Sequence, residues 1–318
     1  MAHDAPQATG PSKLVIRNIG LLLSGALEKP ILDGDTIVAE NGKITAIGRF
    51  KDVNTEGATT VVDANGTTVA PGLIDSHVHP VAGDWTPRQN QINWIDSYLH
   101  GGVTTMISAG EVHMPGRPRD VVGLKAMAIF AQRAFWTLRP GGVKVHAGAP
   151  VIECEMVEDD FKELAAAGVK LLGEVGLGGV KDGPTARKMV GWARKYGIQS
   201  TIHTGGPSIP GSGVQPLGIL RMVSMLSSLG ELPAEIAFCL ATGNTARMRE
   251  LDCGLIEVGR SADFVLMDMA QHSPGKNILE SVQLGDLPGV GMTIIDGIVR
   301  TQRSRNTPPA TRVPDIVG

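Results

Sequence analysis

Two histidines separated by one residue follow a short apolar run in the segment APGLIDSHVHP, residues 70–80. Alternate residues of a β-strand leave the backbone on the same face, so His77 and His79 could bind one metal ion together. Taken alone, the pair is equally consistent with two hydrogen-bonded histidines in a core. The pair therefore predicts a candidate metal site whose other ligands must come from elsewhere in the chain.

Glu174 and His203 each close a later apolar segment, in LLGEVGLGG and TIHTGG. A carboxylate is costly to bury unpaired, so Glu174 should face a cation or hold an unusual proton. The cation could be a metal ion, or a lysine or arginine in a purely structural pair. His203 by itself could be a core histidine, but together with the other three residues it completes a metal-ligand set.

His113, Arg117 and His146 also lie near predicted strand ends and are candidate substrate-binding residues. For the two histidines, a position in the pocket and a position in the core are equally open. The other histidines, His3, His100 and His272, have the surroundings of terminal or surface residues.

The middle of the chain alternates buried strands with amphipathic helices, which predicts a parallel sheet and most simply a (β/α) barrel. Active sites of such barrels lie at the carboxyl ends of the strands, where the four ligand candidates fall. The predicted strands are 72–77, 103–109, 143–147, 169–174 and 198–203. The predicted helices are 119–138, 157–168, 183–197, 217–229 and 233–242.

Both ends of the chain are instead rich in short strands separated by turn residues. Asn41-Gly42, Asn65-Gly66 and Asp296-Gly297 are typical of type I′ hairpin turns, which need positive φ at both central residues. We therefore expect a small β-sandwich built from residues 13–70 and 249–303, beside a metal-binding barrel over 71–248. Residues 1–12 are expected to be a disordered N-terminal tail and 304–318 a C-terminal tail.

Composition excludes several classes of protein. A net charge of -3 and a pI of 6.2 give no broad basic field, which argues against nucleic acid or membrane as a partner and favours a small molecule. Cys154, Cys239 and Cys253 are an odd number without a CxxC pair, which indicates buried thiols in a reducing cytoplasm. No segment is apolar enough for a secretory signal or a membrane span.

Several segments resemble the amidohydrolase superfamily of metal-dependent cyclic amide hydrolases, in particular VAPGLIDSHVHP and LATGNTARMRELDCGLIEVGRSADFVLMD. Within it, HGGVTTMISAG, GVKVHAGA, GEVGLG and HTGGPSIPGS are similar to the enamidases, which open a cyclic enamide in nicotinate degradation. The resemblance implies a binuclear site that holds Zn²⁺, Fe²⁺ or both. In that site His77 and His79 bind the first metal, Glu174 bridges both and His203 binds the second. It also implies hydrolysis by metal-activated water and a homotetramer.

The chain departs from this pattern in length. A barrel unit takes roughly 30 residues, and the segment between His203 and the closing helix near Asn244 is too short for strands 6–8. The family's sixth-strand histidine and eighth-strand aspartate have no counterpart, and the junction near Ser212-Gly213 reads as an internal deletion. Two alternatives therefore stay open. One is a related enzyme of the dihydropyrimidinase, hydantoinase or imidazolonepropionase type, and the other is a catalytically impaired homologue that acts as a binding partner.

Overall fold

The computed structural model describes residues 12–80, 89–111, 114, 116–203 and 215–318, with the side chains of 89–93 left out. Residues 1–11 of the predicted tail, His113 and the Ser212-Gly213 junction lie outside these ranges. Within the described part of the chain, no helix is long and apolar enough to cross a bilayer.

The strands follow in chain order. They are β1 (Lys13–Arg17), β2 (Leu21–Leu23), β3 (Ile31–Leu32), β4 (Thr36–Glu40), β5 (Lys43–Gly48), β6 (Thr60–Asp63), β7 (Thr68–Pro71), β8 (Leu73–Val78), β9 (Val103–Ser108), β10 (Lys144–His146), β11 (Leu171–Val175), β12 (Gln199–Ile202), β13 (Phe264–Asp268), β14 (Gly289–Ile295), β15 (Ile298–Gln302) and β16 (Asp315–Ile316).

The α-helices are α1 (Gln89–Leu99), α2 (Val121–Thr137), α3 (Glu158–Ala166), α4 (Gly183–Lys195), α5 (Gly218–Ser228), α6 (Ala234–Cys239), α7 (Thr245–Met248) and α8 (Ile278–Gln283). A π-helical turn over Leu240–Asn244 joins α6 to α7. Single 3₁₀ turns cover Phe50–Asp52 and Pro140–Gly142.

The two chain ends pair with each other in two sheets. One has five strands in the order β16-β6-β1-β4-β5, and the other has six in the order β15-β14-β13-β7-β2-β3. Strand β13 is buried on both faces: Phe264 and Leu266 pack between the sheets, while Val265 and Met267 pack towards the helices. The six-stranded sheet is therefore a middle layer, which explains why its central strand shows no polar alternation.

Two of the three predicted hairpin turns are confirmed. Asn41-Gly42 joins antiparallel β4 and β5, and Asp296-Gly297 joins β14 and β15, all four residues having positive φ. Asn65-Gly66 has the same backbone conformation but forms no hairpin, because β6 and β7 belong to different sheets. A dipeptide determines the local turn, whereas the burial of each flanking strand decides which layer it joins.

The segment 304–318 contributes a strand to the five-stranded sheet, which corrects its assignment as a tail. Strand β16 pairs antiparallel with β6. The Arg312 guanidinium donates to the nearly buried Asp268 carboxylate through Nε at 2.7 Å and Nη2 at 3.1 Å. A two-residue strand leaves no periodic signal in the sequence, so this pairing could not be predicted.

The five predicted parallel strands are all present, but they form a three-stranded sheet β10-β9-β8 and a separate pair β11-β12. The predicted helices also form, and Asp120 and Asp182 cap α2 and α4 by accepting from backbone N–H groups at 2.8 Å. Across the break between the sheets, the Glu174 N–H donates to the Ala109 carbonyl at 2.8 Å. The carboxyl ends of all five strands therefore remain on one side of the fold.

In the described residues, no strand pairs with the outer edge of β8 or of β12. Helices α5 and α7 and the π-helical turn pack against β8. Arg249, just after α7, donates to the Ser76 carbonyl of β8 and to the Thr201 hydroxyl of β12, both at 3.4 Å. One guanidinium thus spans the two strand edges.

We expect Arg249→Ala to lower the free energy of unfolding by about 1 kcal/mol, because it removes two hydrogen bonds from a partly buried charged donor. Urea unfolding would measure the change. Arg247→Ala is the matched control, since Arg247 pairs with Glu28 on an exposed surface, where ion pairs contribute little. Equal stability of the two variants would contradict a bridging role for Arg249.

A buried charge cluster joins the parallel strands to the six-stranded sheet. Lys144 of β10 donates to Asp263 and lies 2.7 Å from both Asp263 Oδ2 and Asp296 Oδ1. Arg139 contacts the other oxygen of Asp296 at 3.0 Å. The Asp263 side chain is fully buried, so its charge depends on these contacts for compensation.

Candidate functional site

The first two ligand candidates leave the end of β8 together. The register of β8 against β9 shifts between Asp75 and Val78. His77 lies within this irregularity and His79 directly after it. Their rings lie edge to face with centroids 5.2 Å apart. The His79 Nδ1–H donates to the Gly110 carbonyl at 2.8 Å, which directs Nε2 towards Glu174.

Glu174 is the centre of the cluster. Its carboxylate lies 3.4 Å from His77 Nε2 and 3.6 Å from His79 Nε2, and its side chain is only 7% exposed. Neither lysine nor arginine forms an ion pair with Glu174 among the described residues. The described contacts therefore do not support the alternative in which Glu174 pairs with a lysine or an arginine.

His203 reaches the same carboxylate from β12. Its Nδ1 lies 3.1 Å from Glu174 Oε1, so three imidazoles from two strands surround one carboxylate. Ligand atoms of His77, His79 and Glu174 all lie within 4.8 Å of one another, which is the spacing of a metal-ligand set. His203 lies beside this group of three rather than within it. Two histidines and a carboxylate are a donor set that suits zinc or iron.

The strands that carry the ligands also share a buried apolar cluster, while two of the ligands face solvent. Ile74 of β8, Ile107 of β9 and Leu171 of β11 belong to this cluster together with Ala246 of α7. His77 and His203, by contrast, keep 49% and 38% of their side chains exposed. A small molecule can therefore approach the imidazoles from solvent.

Burial shifts the proton affinities next to the cluster. Burial raises the pKa of Asp75 to about 6, although its carboxylate accepts from the His77 N–H at 3.0 Å, which opposes the shift. Burial also lowers the pKa of His79. A neutral imidazole is the form that binds a metal ion, so the environment of His79 favours ligation.

The predicted substrate-binding residues have different outcomes. His113 lies outside the described residues. Arg117 follows β9, and its Nη1 atom is buried without a hydrogen-bond partner in the described contacts. His146 lies on β10 opposite Ile107. Neither Arg117 nor His146 is among the described groups that contact Glu174.

His146 makes a pH-dependent contribution to stability. Burial lowers the pKa of its imidazole to about 4, and the positive charges of Lys144 and Arg139 act in the same direction. An unfolded histidine binds a proton near pH 6.5, so the unfolded state binds more protons between about pH 6.5 and 4. Acidification through this window therefore destabilises the fold.

We expect His146→Asn to remove this loss of folding stability at low pH. Between pH 7 and pH 4.5, the free energy of unfolding of the metal-free wild-type chain should fall by roughly 2 to 3 kcal/mol more than that of the variant. Urea unfolding at both values would test this, with the exposed His272→Asn as control. Parallel losses in the wild type and His146→Asn would show that His146 is not held neutral.

The chain is similar to known proteins over most of its length. It is 37% identical to enamidase from Eubacterium barkeri, over 96% of this chain and 100% of that protein. A crystal structure of enamidase superposes with a TM-score of 0.91, again at 37% identity over 96% of this chain and 100% of the other. No family model matches the sequence.

Two more distant similarities extend the comparison. Imidazolonepropionase from Paenarthrobacter aurescens (strain TC1) is 36% identical over 103 residues, 32% of this chain and 25% of that protein. A variant of atrazine chlorohydrolase TrzN from Arthrobacter aurescens TC1, solved with zinc and atraton, shares 15% identity at a TM-score of 0.59. It covers 92% of this chain and 96% of its own, and it supports the fold alone.

The enamidase match also has a gap. It extends over 385 aligned positions, whereas the chain has 318 residues, so at least 67 of those positions have no residue here. Because the match covers the whole of the relative, a substantial part of that protein is absent from this chain.

Proposed function

The chain belongs to the amidohydrolase superfamily, and because it is similar to enamidase over almost its whole length, we propose that it hydrolyses a C–N bond and opens the ring of a cyclic amide. The single observation that carries the proposal is the cluster around Glu174. Three imidazoles converge on one buried carboxylate that, among the described residues, pairs with no lysine or arginine.

These residues fit a metal centre. His77 and His79 would hold a first divalent ion, His203 a second, and Glu174 would bridge both. Its Oε1 lies nearest His203 and His77, and its Oε2 lies nearest His79. When bound, such an ion lowers the pKa of a water molecule and polarises the amide carbonyl. The metals proposed are Zn²⁺ or Fe²⁺, and metal analysis of the purified chain would distinguish them.

The chain's own groups position the metal ligands and the substrate. The Gly110 carbonyl fixes the tautomer and the ring orientation of His79. We propose that Arg117 and His146, with His113, contact the substrate. For Arg117 the support is its buried Nη1, which lacks a partner in the described contacts and could donate to an oxygen of a bound molecule.

We also propose that the barrel lacks strands 6–8, with the two sheets of the chain ends forming a sandwich domain over 13–70 and 249–303. The gap in the enamidase match and the unpaired outer edges of β8 and β12 support this. The family's sixth-strand histidine and eighth-strand aspartate would then be absent, which favours a second candidate function. In that alternative the chain is a catalytically impaired homologue that binds a partner.

A turnover assay separates the two candidates. The metal-loaded chain is expected to consume 6-oxo-1,4,5,6-tetrahydronicotinate with release of ammonium, and the chelated chain is not. Dihydrouracil, hydantoin and imidazolonepropionate, measured side by side, test the related ring-opening activities. Metal bound without turnover of any of the four would favour the impaired homologue.

The proposed assembly is a homotetramer, by similarity to enamidase. Light scattering coupled to size-exclusion chromatography would measure the mass of the particle. A monomer of 33.4 kDa would contradict the proposal.

A further inference from the structure

A turn at the end of β9 holds two of the ligand residues through its backbone. The Gly110 carbonyl accepts from His79 Nδ1, and the Ala109 carbonyl accepts from the Glu174 N–H, both at 2.8 Å. His79 and Glu174 are far apart in sequence and belong to different sheets. The orientation of two adjacent peptide groups therefore sets the relative position of both ligands.

The side chain behind this turn is Glu111, which is only 1% exposed. Its Oε1 accepts from the Gly148 N–H at 2.7 Å and from the Ser108 hydroxyl at 3.0 Å, and its Oε2 accepts from the Ala149 N–H at 2.8 Å. In the described part of the chain, no charged side chain pairs with Glu111. A buried carboxylate without a cation is costly, so these three donors must stabilise it.

The Ser108 hydroxyl closes a small ring of hydrogen bonds. It accepts from the Gly110 N–H at 3.0 Å, so its own hydrogen is directed to Glu111. Gly110 has a φ of 138°, which residues with a side chain rarely adopt, so this turn must be held in place. Glu111 holds this turn in place, because its carboxylate connects the turn to the backbone of Gly148 and Ala149 after β10.

We propose that Glu111 is a positioning residue for the metal centre, holding the carbonyls that orient His79 and Glu174. The inference rests on the proposed function, since it assigns a role to a residue that contacts neither metal nor substrate. Burial raises the pKa of Glu111 to about 7, opposed by its hydrogen bonds to Gly148, Ser108 and Ala149. The free energy of burying this carboxylate is therefore large, which a purely space-filling residue would not require.

Glu111→Gln tests the proposal with little change of shape. An amide has one oxygen, so its NH₂ group must face either the N–H of Ala149 or the N–H of Gly148, each of which is a donor, and the turn must shift. Groups that orient metal ligands typically contribute 10- to 100-fold to metal affinity. We expect zinc affinity, measured by competition with a chelator, to fall by about that factor, and the visible spectrum of the Co²⁺-loaded chain to change.

Glu153→Gln is the matched control. Glu153 accepts from the Gly179 N–H at 2.7 Å and so also joins two loops, but none of its described hydrogen bonds reaches the turn. Its zinc affinity and cobalt spectrum should equal those of the wild type. If circular dichroism shows that Glu111→Gln does not fold, Ser108→Ala is the second variant. It removes the hydrogen bonds to the Gly110 N–H and to Glu111, keeps the Glu111 carboxylate with its bonds to Gly148 and Ala149, and should weaken zinc binding in the same direction.

The outcomes are distinguishable. Wild-type zinc affinity and an unchanged cobalt spectrum in a folded Glu111→Gln or Ser108→Ala chain would overturn this inference alone. A wild-type chain that binds neither zinc nor cobalt would overturn the proposed function and this inference with it. Equal losses in Glu111→Gln and Glu153→Gln would show a general loosening of loops and would also overturn the inference.

Discussion

Glu174→Gln should abolish stoichiometric zinc binding and lower any ring-opening activity on the order of a thousandfold. The amide keeps the shape of the side chain but removes the negative charge that three imidazoles surround. Metal ions stabilise a transition state by several kcal/mol, and about 4 kcal/mol corresponds to roughly a thousandfold in rate. Metal content per chain and turnover would be measured on the same preparation.

Glu163→Gln serves as the control for this experiment. Glu163 lies on α3 with its side chain 64% exposed and paired with Lys125, and no described contact joins it to a ligand candidate. It should bind zinc as the wild type does. Zinc retained at wild-type stoichiometry in Glu174→Gln would remove the basis for the metal centre.

Lys144→Met should lower the free energy of unfolding by roughly 3–5 kcal/mol, the cost of leaving a buried charge without its partner. Burial acts to lower the pKa of the Lys144 amino group, but the carboxylates of Asp263 and Asp296 have the larger combined effect. The pKa therefore lies above its ordinary value, and the group is charged at neutral pH. Removing it leaves the fully buried Asp263 without its ion pair. Arg139 still contacts Asp296, so the loss falls mainly on Asp263.

Urea unfolding would measure this loss. Lys195→Met is the control, because Lys195 pairs with Glu158 at the surface and its removal should have little effect. A change below about 1 kcal/mol in Lys144→Met would mean that Asp263 is neutral or hydrated in the folded state. The predicted loss would also make Lys144 a main connection between the parallel strands and the six-stranded sheet.

Local patterns in the sequence determined much of this fold. The five parallel strands and the helices between them were predicted, because apolar periodicity reports directly which residues face a core. The Asn41-Gly42 and Asp296-Gly297 hairpins were predicted because their φ requirements are local. The convergence of His77, His79, Glu174 and His203 followed from one rule, that parallel strands end on the same side.

Only the tertiary structure decided the features that depend on distant pairings. Asn65-Gly66 has the expected backbone conformation, but the strands on its two sides belong to different sheets. The parallel strands are likewise divided into sheets of three and two. The contacts of Glu111, Lys144 and Arg249 join segments far apart in the chain. A sequence specifies the type and period of each side chain, whereas the partner of a buried charge is fixed only when packing excludes water and leaves one group within reach.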